Sequence, residues 1–233
     1  MSHLRTALNF LSRHRFAVFF ALLLALIIIP PYFEGESWMG EVWRSMLTAV
    51  LIWALAAVLG NRRALLLAVA LLIPTLVSNW LGNLEGSPRL VAYIDNFTNI
   101  VYFGLICTYL AIYIARSRRV DTEVLCASMC LYISIALLWA AIFTNLELFY
   151  DPAFSFYGAT ASEAGIGKDN LFGYLMYYSF VTLSTLGYGE IHPLHPVAQN
   201  WAAVEAMVGQ FFIAIVIARL VALYTVEQGR PEA

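Results

Sequence analysis

Long apolar runs separated by short polar turns dominate this chain. Six runs are long or apolar enough to cross a bilayer, which takes about 20 helical residues per crossing. They are Phe16–Tyr32, Arg44–Leu59, Ala64–Leu81, Val91–Ala115, Glu123–Leu146 and Val197–Tyr224, the second being the shortest. A seventh apolar segment, Leu171–Leu183, is too short to cross. It predicts a helix that enters the membrane and returns. Asp169 or Asn170 is its expected N-cap, because a short polar side chain can accept from the free N–H groups of a first turn. The expected fold class is an all-α integral membrane protein, with six transmembrane helices and one re-entrant helix and loop per subunit.

Composition strengthens this reading. Hydrophobic residues make up 61% of the chain and charged residues 12%, against roughly 25% charged in soluble domains. Basic residues predict the orientation. Arg5, Arg13 and Arg15 precede the first run, Arg62 and Arg63 fill the second turn, and Arg116, Arg118 and Arg119 fill the fourth. The other turns are acidic or mixed, with Glu34, Glu36 and Glu41, then Glu85 with Arg89. Both termini are therefore expected in the cytoplasm. Pro30-Pro31-Tyr32-Phe33 offers no small-residue cleavage site, so the first run is expected to be an uncleaved helix. Cys107, Cys126 and Cys130 fall within predicted helices and predict packing rather than a disulfide framework.

Between the short helix and the last run lies Thr185-Leu186-Gly187-Tyr188-Gly189. Glycine tolerates left-handed backbone angles, so such a strand can turn successive carbonyls toward one axis. Rings of carbonyls can replace the hydration shell of a bare cation. The segment from Tyr177 to Glu190, followed by Ile191-His192-Pro193 and Pro196, resembles the pore helix, selectivity filter and outer mouth of potassium channels. Glu205-Ala206-Met207-Val208-Gly209-Gln210 resembles that family's inner helix with its hinge glycine. The likeness covers about Leu171 to Tyr224, and Leu186, Glu190 and the Tyr177-Tyr178 pair depart from the family's more frequent Val, Asp and Trp-Trp.

The resemblance implies a passive, potassium-selective channel assembled as a homotetramer, embedded in lipid, with potassium as permeant ion and no cofactor. Potassium would bind at Thr185, Leu186, Gly187 and Tyr188, with Gly189 completing the filter. The implied domains are a cytoplasmic N-terminus (1–15), a four-helix peripheral bundle (16–119), a pore module (120–225) and a short cytoplasmic tail (226–233). The compact form implies a prokaryotic inner membrane. Tyr178, Thr182, Glu190 and Glu205 are the expected filter supports. Tyr178 is the candidate donor to Glu190, and Thr182 and Ser184 are the candidate partners of Glu205, an acid inside the last helix. Gly209 is the candidate hinge. Ile213, Ile217 and Val221, at i, i+4 and i+8, are candidates for an apolar constriction that closes by dewetting. Gln210 is a weaker candidate for lining the cavity.

Two further features bear on the mouth. Glu147, Asp151, Glu163 and Asp169 against Lys168 leave a net charge of −3 in the loop after the fifth run. Repeated around an oligomer, such charge concentrates cations. His192 and His195 flank the mouth, and histidine is the side chain that most readily changes charge near neutrality. They are either a pH sensor or ordinary turn residues. Asp95, Asn96, Thr98 and Asn99 cluster in the fourth run, where Asn96-Phe97-Thr98 also matches a glycosylation sequon. They would bind a ligand or, more commonly, pair with neighbouring helices.

The fourth run contains no Arg or Lys between Val91 and Ala115. A voltage sensor does its work by moving such charges through the field, so a conventional voltage-gated channel is not expected. A weakly selective cation channel remains open, given Leu186 and Glu190. So does a potassium transporter or a non-conducting channel-like subunit, although such transporters carry four pore loops in one chain. No constellation of His, Cys or Asp supports catalysis, so neither an enzyme nor a nucleic-acid binder is expected.

Overall fold

The structure is a computed structural model that describes residues 14–33, 39–58, 62–81 and 89–228. Arg5, Arg13, Glu34, Glu36, Glu85 and the tail from 229 onward lie outside the described residues, as do the side chains of Glu41, Arg62, Arg63, Arg89, Asp95 and Asn96. The elements run α1 (Arg15–Ile28), a 3-10 turn (Pro30–Phe33), α2 (Met39–Val58), α3 (Arg62–Leu81), α4 (Arg89–Arg116) and α5 (Thr122–Tyr150). They continue as β1 (Phe154–Phe156), α6 (Lys168–Leu183), β2 (Ile191–Pro193), α7 (Pro196–Phe211), a π-helical segment (Phe212–Ile217) and α8 (Ala218–Gln228).

The apolar runs become helices because a backbone in hydrocarbon must satisfy its own hydrogen bonds. Among the described residues, three helices are long and apolar enough to cross a membrane: Phe97–Arg116, Thr122–Tyr150 and Pro196–Thr225. The apolar stretches Arg15–Ile28, Val42–Leu55 and Leu65–Val77 are shorter. The first helix stops at Ile28, short of Tyr32, because Pro30 and Pro31 bring no N–H to continue it. At the other extreme, α5 outruns its predicted end at Leu146 by a turn, up to the residue before Asp151-Pro152.

Helix α5 is the organising element. It packs against α1, α4, α6 and α7. Asp121 caps it, accepting from Val124 N at 2.8 Å. Glu123 in its first turn accepts from Phe16 N at 3.1 Å, which fastens α1 alongside. Cys126 and Cys130 are free and buried in the α1–α5 core, as packing residues would be. The last crossing behaves differently. Only 11% of its apolar window is buried, against 67% for α5. Most of the α7–α8 surface is thus left uncovered by its own protomer.

Candidate ion-conduction site

Helix α6 is aimed by its two ends. Gly167 is the N-cap and makes no side-chain cap, so Asp169 and Asn170 lie inside the first turn rather than at the predicted capping position. Leu171 N donates instead to the Gly167 carbonyl at 3.1 Å. At the C-terminus, Ser184 Oγ donates to the Phe180 carbonyl at 2.6 Å. Thr185 N then reaches the Thr182 carbonyl at 2.9 Å, and Leu186 N and Gly187 N converge on the Val181 carbonyl at 2.9 and 3.4 Å. The chain leaves the helix tightly coiled against its last turn.

From there the backbone alternates. Thr185, Gly187 and Gly189 have φ of 59°, 63° and 92°, whereas Leu186 and Tyr188 stay outside the left-handed region. Alternating hands along a strand rotate successive peptide planes to the same side, so their carbonyls can line one axis. Thr185 accepts this costly angle although it carries a Cβ. Its Oγ1 accepts from Gln210 Nε2 of α7 at 3.3 Å, tying the inner end of the strand to the last crossing. Leu186 and Tyr188 are 55% and 66% exposed, so their side chains do not pack within this protomer as braces.

The outer end is held by strand pairing. β2 runs antiparallel to β1, with Phe154 opposite Pro193, Ser155 opposite His192 and Phe156 opposite Ile191. Tyr157 N extends the ladder to the Glu190 carbonyl at 2.7 Å. Glu147 anchors β1: one carboxylate oxygen accepts from Ala153 N and Phe154 N, both at 2.8 Å. Glu147 is buried, so it is an internal brace and not one of the rim charges predicted from the loop. Glu163 does stand in solvent, where hydrogen bonds from Thr160 N and Oγ1 hold its carboxyl below the usual range.

The support of Glu190 also differs from expectation. Its donor is the hydroxyl of Tyr177, not of Tyr178. One residue along a helix is about 100° around its axis, so only one of two adjacent tyrosines can face the strand. The carboxylate contact pushes the Tyr177 hydroxyl up to about 12. Tyr178 turns inward instead, its ring 5.2 Å from those of Phe143 and Phe154, and its hydroxyl meets Thr182.

His192 and His195 part company. His192 Nδ1 lies 3.3 Å from the Gly189 carbonyl, the outermost oxygen of the alternating strand. His195 is the N-cap of α7, accepting from Val197 N at 3.3 Å, and its ring stacks on Tyr150 at 4.1 Å.

Along α7 the buried face is Ala198, Ala202, Glu205 and Gly209, at helical spacing. The partner of Glu205 is Ser179 at 2.5 Å, rather than Thr182 or Ser184. Thr182 and Ser184 point elsewhere because they lie further around and along α6. Gly209 has a role that spacing alone did not reveal. A Cβ there would sit 2.0 Å from the Leu183 carbonyl oxygen, so the glycine permits the closest approach of α7 to the end of α6. Ile213, Ile217 and Val221 are all exposed. However, Phe212–Ile217 is π-helical, so the α-helical spacing that aligned the three does not hold across it. Below, Arg219 donates to the Ala115 and Ser117 carbonyls at 2.5 and 3.4 Å, joining α8 to the end of α4. Glu147, Ser179 and Arg219 were not legible as site residues. Their partners lie on other segments, and nothing in their own neighbourhoods announces them.

Residues 129–226 match the family model described as ion channel. That span holds most of α5, the short helix, the alternating strand and the last crossing. No curated protein and no solved structure matches the chain. The likeness is to ion channels, and it supports passive ion conduction by a helical membrane protein.

Proposed function

We propose that the chain is one subunit of a homotetrameric, potassium-selective channel. The observation that carries this reading is the alternating strand Thr185–Gly189. It has left-handed φ at 185, 187 and 189, directly follows a short helix, and leaves Leu186 and Tyr188 uncovered. A carbonyl-lined strand from one protomer cannot enclose an ion. Four copies around an axis would, and the uncovered side chains would then find neighbours. The exposed apolar surface of α7 and α8 is suited to the same assembly. In this reading Thr185, Leu186, Gly187 and Tyr188 bind dehydrated potassium and Gly189 completes the outer site. Glu190, held by Tyr177, and the β1–β2 pair brace the mouth. The peripheral helices complete six crossings with both termini cytoplasmic, in a prokaryotic inner membrane.

The test is reversal potential in mixed potassium and sodium for the purified protein in planar bilayers, with Gly187→Ala and Gly189→Ala beside the wild type. Potassium should be strongly preferred by the wild type. Each alanine should abolish selective current, because a Cβ is strained at φ of 63° and 92°. A wild-type reversal potential that ignores the potassium gradient would favour the weakly selective alternative that Leu186 and Glu190 leave open. Selective current undiminished in either variant would remove the filter assignment.

A further inference from the structure

Glu205 sits where three helices meet. It is fully buried, as is Ser179 of α6. Glu205 Oε1 lies 2.5 Å from Ser179 Oγ, and that same Oγ lies 2.8 Å from the backbone carbonyl of Ala136 in α5. A serine hydroxyl has one proton to give. A carbonyl oxygen can only accept, so the proton of Ser179 belongs to the Ala136 contact. The contact with Glu205 then requires a proton from the carboxyl group.

The rest of the pocket agrees. Glu205 Oε2 meets no donor among the described residues. An ionised carboxylate is acceptor-only at both oxygens and would be stranded there, at a cost far above that of one unpaired neutral oxygen. Among the described residues, the hydroxyls of Tyr132 on α5 and Tyr178 on α6 are close enough to feel Glu205, and neither is a cation.

We propose that Glu205 is a neutral carboxylic acid donating to Ser179, and that the chain Glu205–Ser179–Ala136 is the positioning link that clamps α6 between α5 and α7. One helical turn below Glu205, Gly209 lets α7 touch Leu183 at the end of α6. A shift of α6 would carry with it the Val181 carbonyl, which receives both Leu186 N and Gly187 N. The link therefore sets the position of the filter strand without touching the ion. Its protonation stands on the hydrogen bonds alone, whereas its consequence for conduction rests on the potassium-channel reading.

The experiment is infrared spectroscopy of the full-length protein in lipid bilayers at neutral pH, paired with potassium flux. The wild-type minus Glu205→Gln difference should contain a protonated-carboxyl carbonyl band sensitive to deuterium exchange. Carboxylate bands in its place overturn the proposal. Ser179→Ala keeps the acid but removes its acceptor, so the band should move to higher frequency, and an unmoved band overturns the link. In flux, Glu205→Gln keeps an N–H donor for Ser179 and should retain most of the current. Glu205→Ala leaves the Ser179 oxygen without its donor, although Ser179 still donates to Ala136, and should lose about tenfold, as expected when a buried polar atom loses its partner. Equal losses in Gln and Ala would overturn positioning by donation. Absence of potassium flux from the wild type would overturn the channel reading, and the infrared bands would still decide the protonation.

Discussion

Tyr177, Glu190, His192 and Gly189 form one small electrostatic unit at the outer end of the alternating strand. Tyr177 donates to the Glu190 carboxylate, and this contact raises its hydroxyl from an ordinary value of 10.0 to about 12. A raised phenol keeps its proton longer in the folded state. Its contribution is whole below about pH 10 and is lost as pH rises through about 12. His192 works from the other side. Its Nδ1 faces the Gly189 carbonyl at 3.3 Å. A carbonyl oxygen can only accept, so Nδ1 carries the proton of this contact and donates to the outermost oxygen of the strand. His192→Ala removes this donor from the outermost oxygen and should therefore reduce potassium current. His195 should contribute little, because it serves as the cap of α7 and is stacked on Tyr150. Single-channel current in the wild type, His192→Ala and His195→Ala decides this. Undiminished current in His192→Ala would make His192 a turn residue only.

At the scale of elements, α7 and α6 depend on a glycine for their contact. A Cβ at Gly209 would meet Leu183 O at 2.0 Å and Leu183 C at 2.9 Å, and backbone atoms cannot swing aside as a side chain can. Gly209→Ala should therefore destabilise the fold by about 1–3 kcal/mol through overpacking. Gly104→Ala, in α4 with nothing within 4 Å, should be neutral or slightly stabilising. Thermal denaturation in detergent compares them, and an equally stable Gly209→Ala would show that α7 can move away at no cost. What made these elements legible, and what hid them, has a physical pattern. Helices α1 to α5 were readable because each is a long apolar run ended by prolines or polar turns. Thr185–Gly189 was readable because alternating glycines have few other uses beside a membrane helix. The strands β1 and β2 were not, because three-residue strands carry no usable alternation and owe their form to pairing with each other across a long stretch of sequence. The π segment Phe212–Ile217 was equally hidden. It is apolar at every position, so one extra residue per turn changes no visible period. Glu205 stood out as a buried acid, but choosing Ser179 over Thr182 or Ser184 required knowing how α6 is rotated.

At the scale of the whole molecule, the fourth helix is tied to the last crossing. Arg219 supplies one physical connection. It reaches from α8 to the carbonyls of Ala115 and Ser117, where the negative end of the α4 dipole favours a cation. Movement of α4 would thus be felt by the lower part of the last crossing. What α4 lacks is a means of being moved by voltage. Arg89 and Arg116 stand at its two ends, and between them its only charge is Asp95. Moving one elementary charge across the membrane is worth about 2.3 kcal/mol per 100 mV, so steep gating needs several such charges in every subunit. The exposed Arg116, Arg118 and Arg119 lie at or beyond the end of α4, outside its apolar stretch. Potassium current should therefore change only gradually with voltage, with at most weak rectification from ions moving within the filter. Arg219→Gln, by contrast, should alter open probability at every voltage by a similar factor, since what it removes is above all a mechanical contact at the end of α4. Limiting-slope analysis of single channels measures both effects. Several gating charges per subunit in the wild type would mean that charge outside α4 crosses the field, and would return the peripheral helices to the role of a voltage sensor.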